Sequence, residues 1–310
     1  SLLAKPYIHR SNRNKMSSLD KYHIYDLLRE PETVVNVVQE EAHSIWPEGY
    51  FDYTDTLYDR KALRITPVEL KKQGNLEKAK IVKFGDEIAQ YRAYFEAGTQ
   101  LLPYVDCIKG KHVLDVGCGY GDLAFAMEQM GAASVTAVDV HKQNTDMCAK
   151  IKHKFKSNIK VETKDVNDLT REYLSKFDTV VAFQCLSWTN CHVEFFKNVN
   201  KAGVRDLIMT DQLTGLPLPE CVEDKTFNVR EPMLVLYRSQ GYHYGGTGWQ
   251  DGKTCLRAKT NLSFWVEALD YYGWYVKHWS WQRNCTLNGK KPTIPTYQRR
   301  FVFHCTTTTN

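Results

Sequence analysis

The segment "KHVLDVGCGYGDL" (residues 111–123) joins an apolar run to a dense series of glycines. Val113, Leu114 and Val116 are typical of a buried strand, and glycine then occupies every second position from 117 to 121. The residues that follow carry apolar side chains at helical spacing. A glycine turn between a strand and a helix lets the backbone and a ligand approach each other closely. The sequence therefore predicts a ligand-binding turn at this place.

Acidic residues near the turn distinguish two kinds of nucleotide-like ligand. A dinucleotide site expects G-x-G-x-x-G, with pyrophosphate at the helix N-terminus. Here Asp115 precedes Gly117, Gly119 and Gly121, and a carboxylate in that position repels pyrophosphate but attracts an ammonium or sulfonium group. Asp139 ends a second apolar strand about 20 residues beyond the turn, where an acid accepts both hydroxyls of a ribose. The two acids favour a cationic nucleoside over NAD.

Strands and helices alternate along the chain. Strands are predicted at residues 111–116, 134–140, 159–163, 179–183 and 206–210. Linking helices make these strands parallel and place a ligand at their carboxyl ends. Two later segments, "WYVKHWSWQ" (274–282) and "YQRRFVFHCT" (297–306), lie around a turn at Asn288-Gly289 and are predicted to be an antiparallel pair. The predicted fold class is α/β, with a Rossmann-like, mostly parallel sheet and an antiparallel last strand.

Two segments lie outside this alternation. Residues 1–95 are predicted to be a helical extension, in which "PETVVNVVQEEAHSIW" (31–46) begins a helix with proline and "PEGYFDYTDTLYD" (47–59) is a loop. Residues 96–310 form the ligand-binding domain, with an insertion at about 212–260 after the fifth strand. Segments of that length are functional or disordered, and its aromatic content argues against disorder. We expect it to recognise the substrate.

Taken together, these motifs resemble the class I S-adenosylmethionine-dependent methyltransferases over residues 95–212. "VLDVGCGYG" (113–121) is similar to their first motif, and "FDTVVAFQCLSW" (177–188) to their fourth-strand motif beside the methyl donor. The resemblance implies S-adenosyl-L-methionine as cofactor, Asp139 at its ribose, Asp165 near its adenine amine, and an N-terminal extension that acts as a lid. The residues expected around the donor are Asp115, Gly117, Cys118, Gly119, Gly121, Asp139, Val140, Lys164, Asp165, Val166, Gln184 and Trp188.

A narrower resemblance concerns the acceptor. The segments 96–121 and 262–274 are similar to bacterial methyltransferases of the tRNA wobble-uridine 5-oxyacetate pathway, although "FQCLSW" (183–188) departs from the hydrophobic-Tyr-His ending of that group. This resemblance implies an acceptor oxygen on a modified tRNA or other RNA nucleoside. A small-molecule acceptor is the alternative, and a non-catalytic S-adenosylmethionine-binding regulatory protein is the alternative of another class.

Few residues are obvious candidates for catalysis, because methyl transfer from a sulfonium is an in-line displacement that depends mainly on alignment and desolvation. Candidate proton acceptors are His192 after the fourth strand, Asp211 after the fifth, and His243 in the insertion. A histidine with a pKa near neutrality suits removal of a hydroxyl proton. Each of the three can equally be an ordinary hydrogen-bonding loop residue.

Missing motifs narrow the reaction further. Residues 184–188 lack the Asn/Asp-Pro-Pro-aromatic loop of enzymes that methylate base amines, and no acid of the ribose 2′-O-methyltransferase type lies between Thr179 and Trp188. Cys185 lies near the position of the nucleophile in pyrimidine C5 methylation, but no proline precedes it. Cys191-His192 lacks zinc-finger spacing. We therefore expect no metal site.

The composition sets the broad class of the protein. The 310 residues are 43% apolar, which permits a substantial core, and no apolar run approaches the roughly 20 residues that cross a bilayer. We therefore expect no membrane contact. Nine cysteines without repeated spacing indicate reduced thiols and a cytoplasmic location. The net charge of +5 is compatible with an RNA partner without requiring one.

Overall fold

The computed structural model describes residues 34–57, 95–186, 192–212, 234–240, 254–291 and 300–307. The strands are β1 (Asn36–Val37), β2 (His112–Val116), β3 (Ser134–Asp139), β4 (Lys160–Thr163), β5 (Thr179–Phe183), β6 (Asp206–Gln212), β7 (Leu234–Gln240), β8 (Thr254–Thr260), β9 (Trp274–Trp281), β10 (Thr286–Leu287) and β11 (Arg300–Thr307). The α-helices are α1 (Gln39–Ser44), α2 (Tyr50–Leu57), α3 (Asp122–Gln129), α4 (Lys142–Phe155), α5 (Arg171–Leu174), α6 (His192–Lys201) and α7 (Leu262–Tyr271). Residues 95–100 are also helical, and 3₁₀ turns cover Leu102–Cys107 and Val166–Asp168.

A seven-stranded sheet forms the centre of the fold, in the order β4-β3-β2-β5-β6-β11-β9. The first five strands in that order are parallel, while β11 is antiparallel to both of its neighbours, β6 and β9. The α/β prediction with a mostly parallel sheet and an antiparallel last strand is therefore confirmed. Because these five strands run in the same direction, their carboxyl ends lie at one edge of the sheet, which is where open α/β sheets bind ligands.

Both faces of the sheet are covered, as expected for parallel strands. Successive residues of β2 belong to different cores: Leu114 and Val116 contribute to the core beneath α6 and α7, whereas Val113 contributes to the core beneath α3 and α4. In the first core, the buried side chain of Trp265 in α7 packs edge-on against Phe196 in α6. The continuous apolar runs of the sequence are thus explained by burial on two sides.

The predicted structure of the N-terminal extension is wrong in two places. The helix expected over 31–46 is interrupted, because Asn36–Val37 pairs in parallel with β10 and, of the described residues 34–46, only Gln39–Ser44 is helical. The loop expected over 47–59 contains α2 instead. Tyr50 and Phe51 of α2 are buried, and Tyr50 packs against Phe125 of α3 and Phe155 of α4. This tertiary burial overrides the irregular local pattern.

The predicted insertion contains an antiparallel pair among its described residues. Strands β7 and β8 pair from Leu234 opposite Thr260 to Gln240 opposite Thr254. The remainder of the insertion, residues 213–233 and 241–253, lies outside the described residues, as do residues 1–33 and 58–94 of the extension. Substrate recognition by the insertion and the lid role of the extension stay predictions.

The predicted turn at Asn288-Gly289 is confirmed. Both residues have positive φ angles, 48° and 76°, and Leu287 and Lys290 exchange two backbone hydrogen bonds of 2.9 Å. Such angles at both central positions are typical of a two-residue hairpin turn. The turn directly follows β10, the strand that pairs with β1.

The composition led to expectations about membrane contact and about the cysteines, and the described residues bear on both. No helix in the described part of the chain is long and apolar enough to span a bilayer. The six cysteines whose side chains the structure describes are all free thiols.

The contact between β1 and the helix at residues 95–100 generates a stability prediction. A Cβ on Gly98 would overlap the side chain of Val37, which is β-branched and stiff. Gly98→Ala should therefore lower the free energy of unfolding by about 1–3 kcal/mol, measured by urea titration with circular dichroism. The double variant with Val37→Ala serves as the control and should recover part of the loss. An unchanged unfolding midpoint for Gly98→Ala would contradict the packing.

Candidate active site

The glycine turn between β2 and α3 has a backbone that most residues rarely adopt. Gly117, Gly119 and Gly121 have φ angles of 71°, 57° and 89°, all in the left-handed region that favours glycine. The N–H groups of Gly117 and Cys118 donate to the carbonyl of Val138, at 2.9 and 3.0 Å. These bonds attach the turn to the carboxyl end of β3, so the two strand ends form one site.

The three glycines face different surroundings. A Cβ on Gly117 would overlap Cys185, and a Cβ on Gly121 would overlap the thiol of Cys148. A Cβ on Gly119 would meet no described atom within 4 Å. The outer glycines are therefore required by packing, whereas the central glycine borders open space.

Asp139 presents an oriented carboxylate to this space. Its Oδ2 accepts a hydrogen bond from the N–H of Gly119 at 2.9 Å, and its Oδ1 accepts one from the N–H of His141 at 2.8 Å. The side chain is buried. Since a carboxylate oxygen can accept more than one hydrogen bond, both oxygens keep capacity for ligand hydroxyls. The arrangement fits the two hydroxyls of a ribose.

Asp115 is a buried acid beneath the turn. Its Oδ2 makes no hydrogen bond to any residue that the structure describes. Burial, followed by the negative charges of Asp139 and Asp122, raises the pKa of Asp115 to about 7. A nearby cation would favour the ionised form, so the site suits a positively charged ligand.

The ends of β3 and β4 add a mixed polar and apolar border. Asp165 accepts hydrogen bonds from the backbone N–H and the side-chain amide of Asn167, at 2.9 and 2.7 Å. Val140 is exposed although it is apolar. The backbone N–H of Lys164 donates to the carbonyl of Asp139 at 2.9 Å, while its ammonium group lies over the ring of Tyr173. An exposed apolar side chain together with a hydrogen-bond acceptor suits a flat heterocycle that carries an amine.

The end of β5 contains a strained residue and a protonated thiol. Gln184 has a φ of 55°, a left-handed conformation that is uncommon for a non-glycine residue and that clusters at functional sites. Burial, reinforced by Asp211 and by Asp115, raises the pKa of the Cys185 thiol well above its usual range. A protonated thiol is a poor nucleophile, so the structure disfavours a covalent role for Cys185.

The structure brings most of the predicted site residues to one edge of the sheet. The residues at the carboxyl ends of β2 to β5, or in the turns directly after them, are Asp115, Gly117, Cys118, Gly119, Gly121, Asp139, Val140, Lys164, Asp165, Val166 and Gln184. Their roles toward a cofactor stay predictions.

The three predicted proton acceptors are placed unequally. Asp211 is buried near the carboxyl end of β6, and its charge contributes to the raised pKa of Cys185. His192 is the first residue of α6, and its side chain is not among those described. His243 and the predicted donor contact Trp188 lie outside the described residues. Asp211 is thus the candidate that the structure places next to the other acids.

Two features of the site were missed from the sequence. His141 is partly buried; burial lowers its pKa, against the opposing effect of the carboxylates of Asp139 and Asp165. Its position two residues after Asp139 is a signal that could have identified it. Tyr50 O–H donates to Asp122 Oδ1 at 2.6 Å, and Trp46 Nε1 donates to the carbonyl of Asp122 at 2.9 Å. No local signal links these aromatic residues to the helix behind the glycine turn.

Comparison with known proteins agrees with this geometry. Residues 113–202, from β2 to the end of α6, match the family model described as a methyltransferase domain. Over these residues the chain is similar to a methyltransferase domain. The predicted resemblance to class I methyltransferases is thereby confirmed at the level of the domain.

The known proteins that resemble this part of the chain differ in the substrates that their names state. The ribosomal protein L11 methyltransferase of Thermotoga petrophila is 36% identical over 101 residues, which are 33% of this chain and 36% of the relative. The ubiquinone biosynthesis O-methyltransferase of Coxiella burnetii is 30% identical over 122 residues, covering 36% of this chain and 51% of the relative. The chain thus spans between about a third and about half of the length of these curated relatives. Magnesium protoporphyrin IX methyltransferase from Synechocystis PCC 6803 superposes with a TM-score of 0.47 at 15% identity, over 80% of this chain and 99% of that structure.

The different surroundings of Gly119 and Gly117 predict different effects of adding one methyl group. Gly119→Ala adds about 1–2 kcal/mol of backbone strain and places its methyl group in the ligand space, so it should fold yet lose affinity for S-adenosylmethionine at least tenfold. Gly117→Ala should lower the melting temperature more strongly, because its methyl group overlaps Cys185. Calorimetric titration and thermal melts measure the two effects. Equal affinity for Gly119→Ala and the unsubstituted chain would contradict the site.

The raised pKa of Asp115 predicts a pH dependence of stability. Between the ordinary aspartate pKa of 3.8 and about 7, the folded chain holds a proton that the unfolded chain has lost. The free energy of unfolding should therefore fall as pH rises through this window, by up to about 1.4 kcal/mol per pH unit, and level off above it.

Asp115→Asn removes this contribution and should flatten the decline in stability between pH 5 and 7, measured by urea titration at each pH. Asp146→Asn, which changes an exposed acid on α4, is the matched control and should retain the full decline. A slope that is the same in the Asp115→Asn variant and in the unsubstituted chain would show that Asp115 has an ordinary pKa.

Proposed function

We propose that the protein is an S-adenosyl-L-methionine-dependent methyltransferase. The observation that carries the proposal is the carboxylate of Asp139, which backbone N–H groups of Gly119 and His141 orient beside open space at the glycine turn. The matched methyltransferase domain supports it, because that domain spans the elements that build the turn. The cofactor would supply a methyl group activated by the adjacent sulfonium.

The residues of the chain would share the work of binding this cofactor. Asp139 would hold the ribose hydroxyls, and Asp115, once ionised, would attract the positive charge of the methionine part. Val140 and Asp165 would contact the adenine. Gly119 would allow the cofactor to approach the backbone. In each of these roles, the chemical character of the side chain matches the part of the cofactor that it would contact.

The proton of the acceptor needs a base if the acceptor is a hydroxyl. Asp211 is the candidate base whose side chain the structure describes. It lies at the edge of the sheet that carries Asp115 and Asp139. His192 and His243 remain candidates from the sequence. A base in this position would accept the hydroxyl proton while the acceptor oxygen is aligned with the methyl group.

For the acceptor, we retain an oxygen of a modified tRNA or RNA nucleoside as the first candidate. The resemblance of residues 96–121 and 262–274 to tRNA-modifying enzymes supports it, together with the net positive charge. A small-molecule oxygen is the second candidate, favoured by the likeness to a ubiquinone biosynthesis O-methyltransferase. The proposed division into an extension (1–95) and a cofactor-binding domain with an insertion (96–310) applies to either acceptor.

The N-terminal extension would act as a lid over the site. Trp46 and Tyr50 support this proposal, because both hydrogen-bond to Asp122, the first residue of the helix that follows the glycine turn. A cofactor that orders the turn would therefore also stabilise the contact with the extension.

The proposal is tested by binding and by transfer. The unsubstituted chain should bind S-adenosylmethionine and S-adenosylhomocysteine but not NAD, and Asp139→Ala should weaken binding at least tenfold, a loss of about 1.4 kcal/mol or more. Asp146→Ala is the matched control and should bind normally. Absence of binding to the unsubstituted chain would refute the cofactor. Binding without transfer of a labelled methyl group to any RNA or metabolite fraction would favour the regulatory alternative.

Salt dependence in the same assay separates the two acceptor classes. Transfer to tRNA should fall steeply as salt rises from about 50 to 200 mM, since each phosphate contact releases counterions. Transfer to a small neutral acceptor should change little over that range.

A further inference from the structure

A cluster of three metal-ligating side chains lies at the other edge of the sheet. Cys107 ends the 3₁₀ turn Leu102–Cys107, Asp206 begins β6, and His304 lies in β11 opposite Ile208. We call Cys107, Asp206 and His304 the amino-edge cluster. Asp206 pairs with Thr179, the first residue of β5, whereas the candidate active site follows the last residue of that strand. The two edges are about 13 Å apart along a five-residue strand.

The donor atoms of the amino-edge cluster converge on one point. Cys107 Sγ lies 3.3 Å from His304 Nε2 and 3.7 Å from Asp206 Oδ1, and His304 Nε2 lies 2.9 Å from the same Oδ1. In a tetrahedral zinc site, bonds of about 2.0–2.3 Å separate neighbouring ligand atoms by about 3.3–3.6 Å. The two distances from Sγ are close to the edges of such a tetrahedron. The distance between Nε2 and Oδ1 is that of a hydrogen bond, and these two atoms would have to separate by a few tenths of an ångström to bind the same ion.

The same geometry argues against a nucleophilic relay. In a cysteine–histidine–aspartate relay, the thiol and the carboxylate contact opposite nitrogens of the imidazole ring. Here both face Nε2 of His304. Ligands of one metal ion have their donor atoms close together in this way, with the sulfur and the carboxylate oxygen next to the same ring nitrogen.

The surrounding structure holds the donors in place. The side chains of His304 and Asp206 are only 4% and 9% exposed, and the register between β11 and β9 shifts between His304 and Cys305. Such irregularities re-aim side chains and are frequent at functional positions. The carbonyl of Cys107 accepts a hydrogen bond from the hydroxyl of Thr179. Cys107 itself is only partly buried, which leaves a path for an ion.

We propose that the amino-edge cluster binds a divalent zinc ion. A thiolate, an imidazole and a carboxylate are the donors that zinc uses, whereas magnesium and calcium prefer oxygen donors alone. Three protein ligands leave a fourth position for solvent beside the partly exposed Cys107. The ion would connect strands β6 and β11 to the 3₁₀ turn that comes before β2. The proposal is independent of the proposed methyl transfer, because no residue of the cofactor site takes part.

The test begins with protein freed of metal by a chelator, equilibrated with zinc chloride, dialysed and analysed by mass spectrometry of the metal content. The expected result is one zinc ion per chain. Cys107→Ser and Asp206→Asn should each weaken zinc binding at least about tenfold. His153→Gln, which changes an exposed histidine of α4, is the matched control and should keep full binding. Equal zinc content in the unsubstituted chain and both cluster variants would overturn the proposal.

Cobalt provides a readout that does not depend on the folding of a variant. Cobalt added to the metal-free, unsubstituted chain should produce the visible bands of a tetrahedral site and a thiolate-to-cobalt charge-transfer band in the near ultraviolet. Saturation with cobalt without the thiolate band would refute the participation of Cys107. Alkylation of Cys107, followed by peptide mass spectrometry, should slow when zinc is present, and unchanged labelling would contradict the site.

The two proposals fail separately. Asp139→Ala should keep its zinc, and Asp206→Asn should keep its affinity for S-adenosylmethionine. Loss of both properties in either variant, with normal circular dichroism, would contradict the independence of the two edges.

Discussion

The candidate active site depends on the hydrogen bond between the N–H of Gly119 and the carboxylate of Asp139. This bond links the turn after β2 to the end of β3, and it is possible only because Gly119 adopts a left-handed conformation that directs its N–H toward the carboxylate. With the second bond from His141, it orients both oxygens of the acid. The orientation of Asp139 toward the glycine turn follows from these two bonds.

Concentrating acids in this way has an electrostatic cost. Asp115 is buried near Asp139 and Asp122, which raises its pKa to about 7. Asp211 and Asp115 also raise the pKa of Cys185. A chain selected for stability alone would replace Asp115 with an apolar residue, because an unpaired buried carboxylate opposes folding. A cationic ligand next to Asp115 would reverse this balance, because it would favour the charged form of the carboxyl.

The two edges of the sheet carry different chemistry on one framework. The carboxyl edge presents glycine backbone and oriented carboxylates, which suit an organic cation. The amino edge brings Cys107, Asp206 and His304 within reach of one ion. Parallel strands make this separation natural, because their loops alternate between the edges. The N-terminal extension contacts the framework at Asp122, while the turn that ends at Cys107 contacts it at Thr179.

The sequence by itself determined the order in which strands and helices alternate in the parallel part of the sheet. It also determined the glycine turn and the placement of Asp115, Asp139 and Asp165 near strand ends. These features are local: apolar runs, glycine spacing and the residue after a strand report directly on burial and turn geometry. The tertiary structure alone decided that residues 50–57 are helical, that β1 pairs with β10, and that Cys107 meets a histidine 197 positions away. Those outcomes depend on which surfaces pack against each other and on the register between β6 and β11, and no short pattern in the chain encodes a partner that distant.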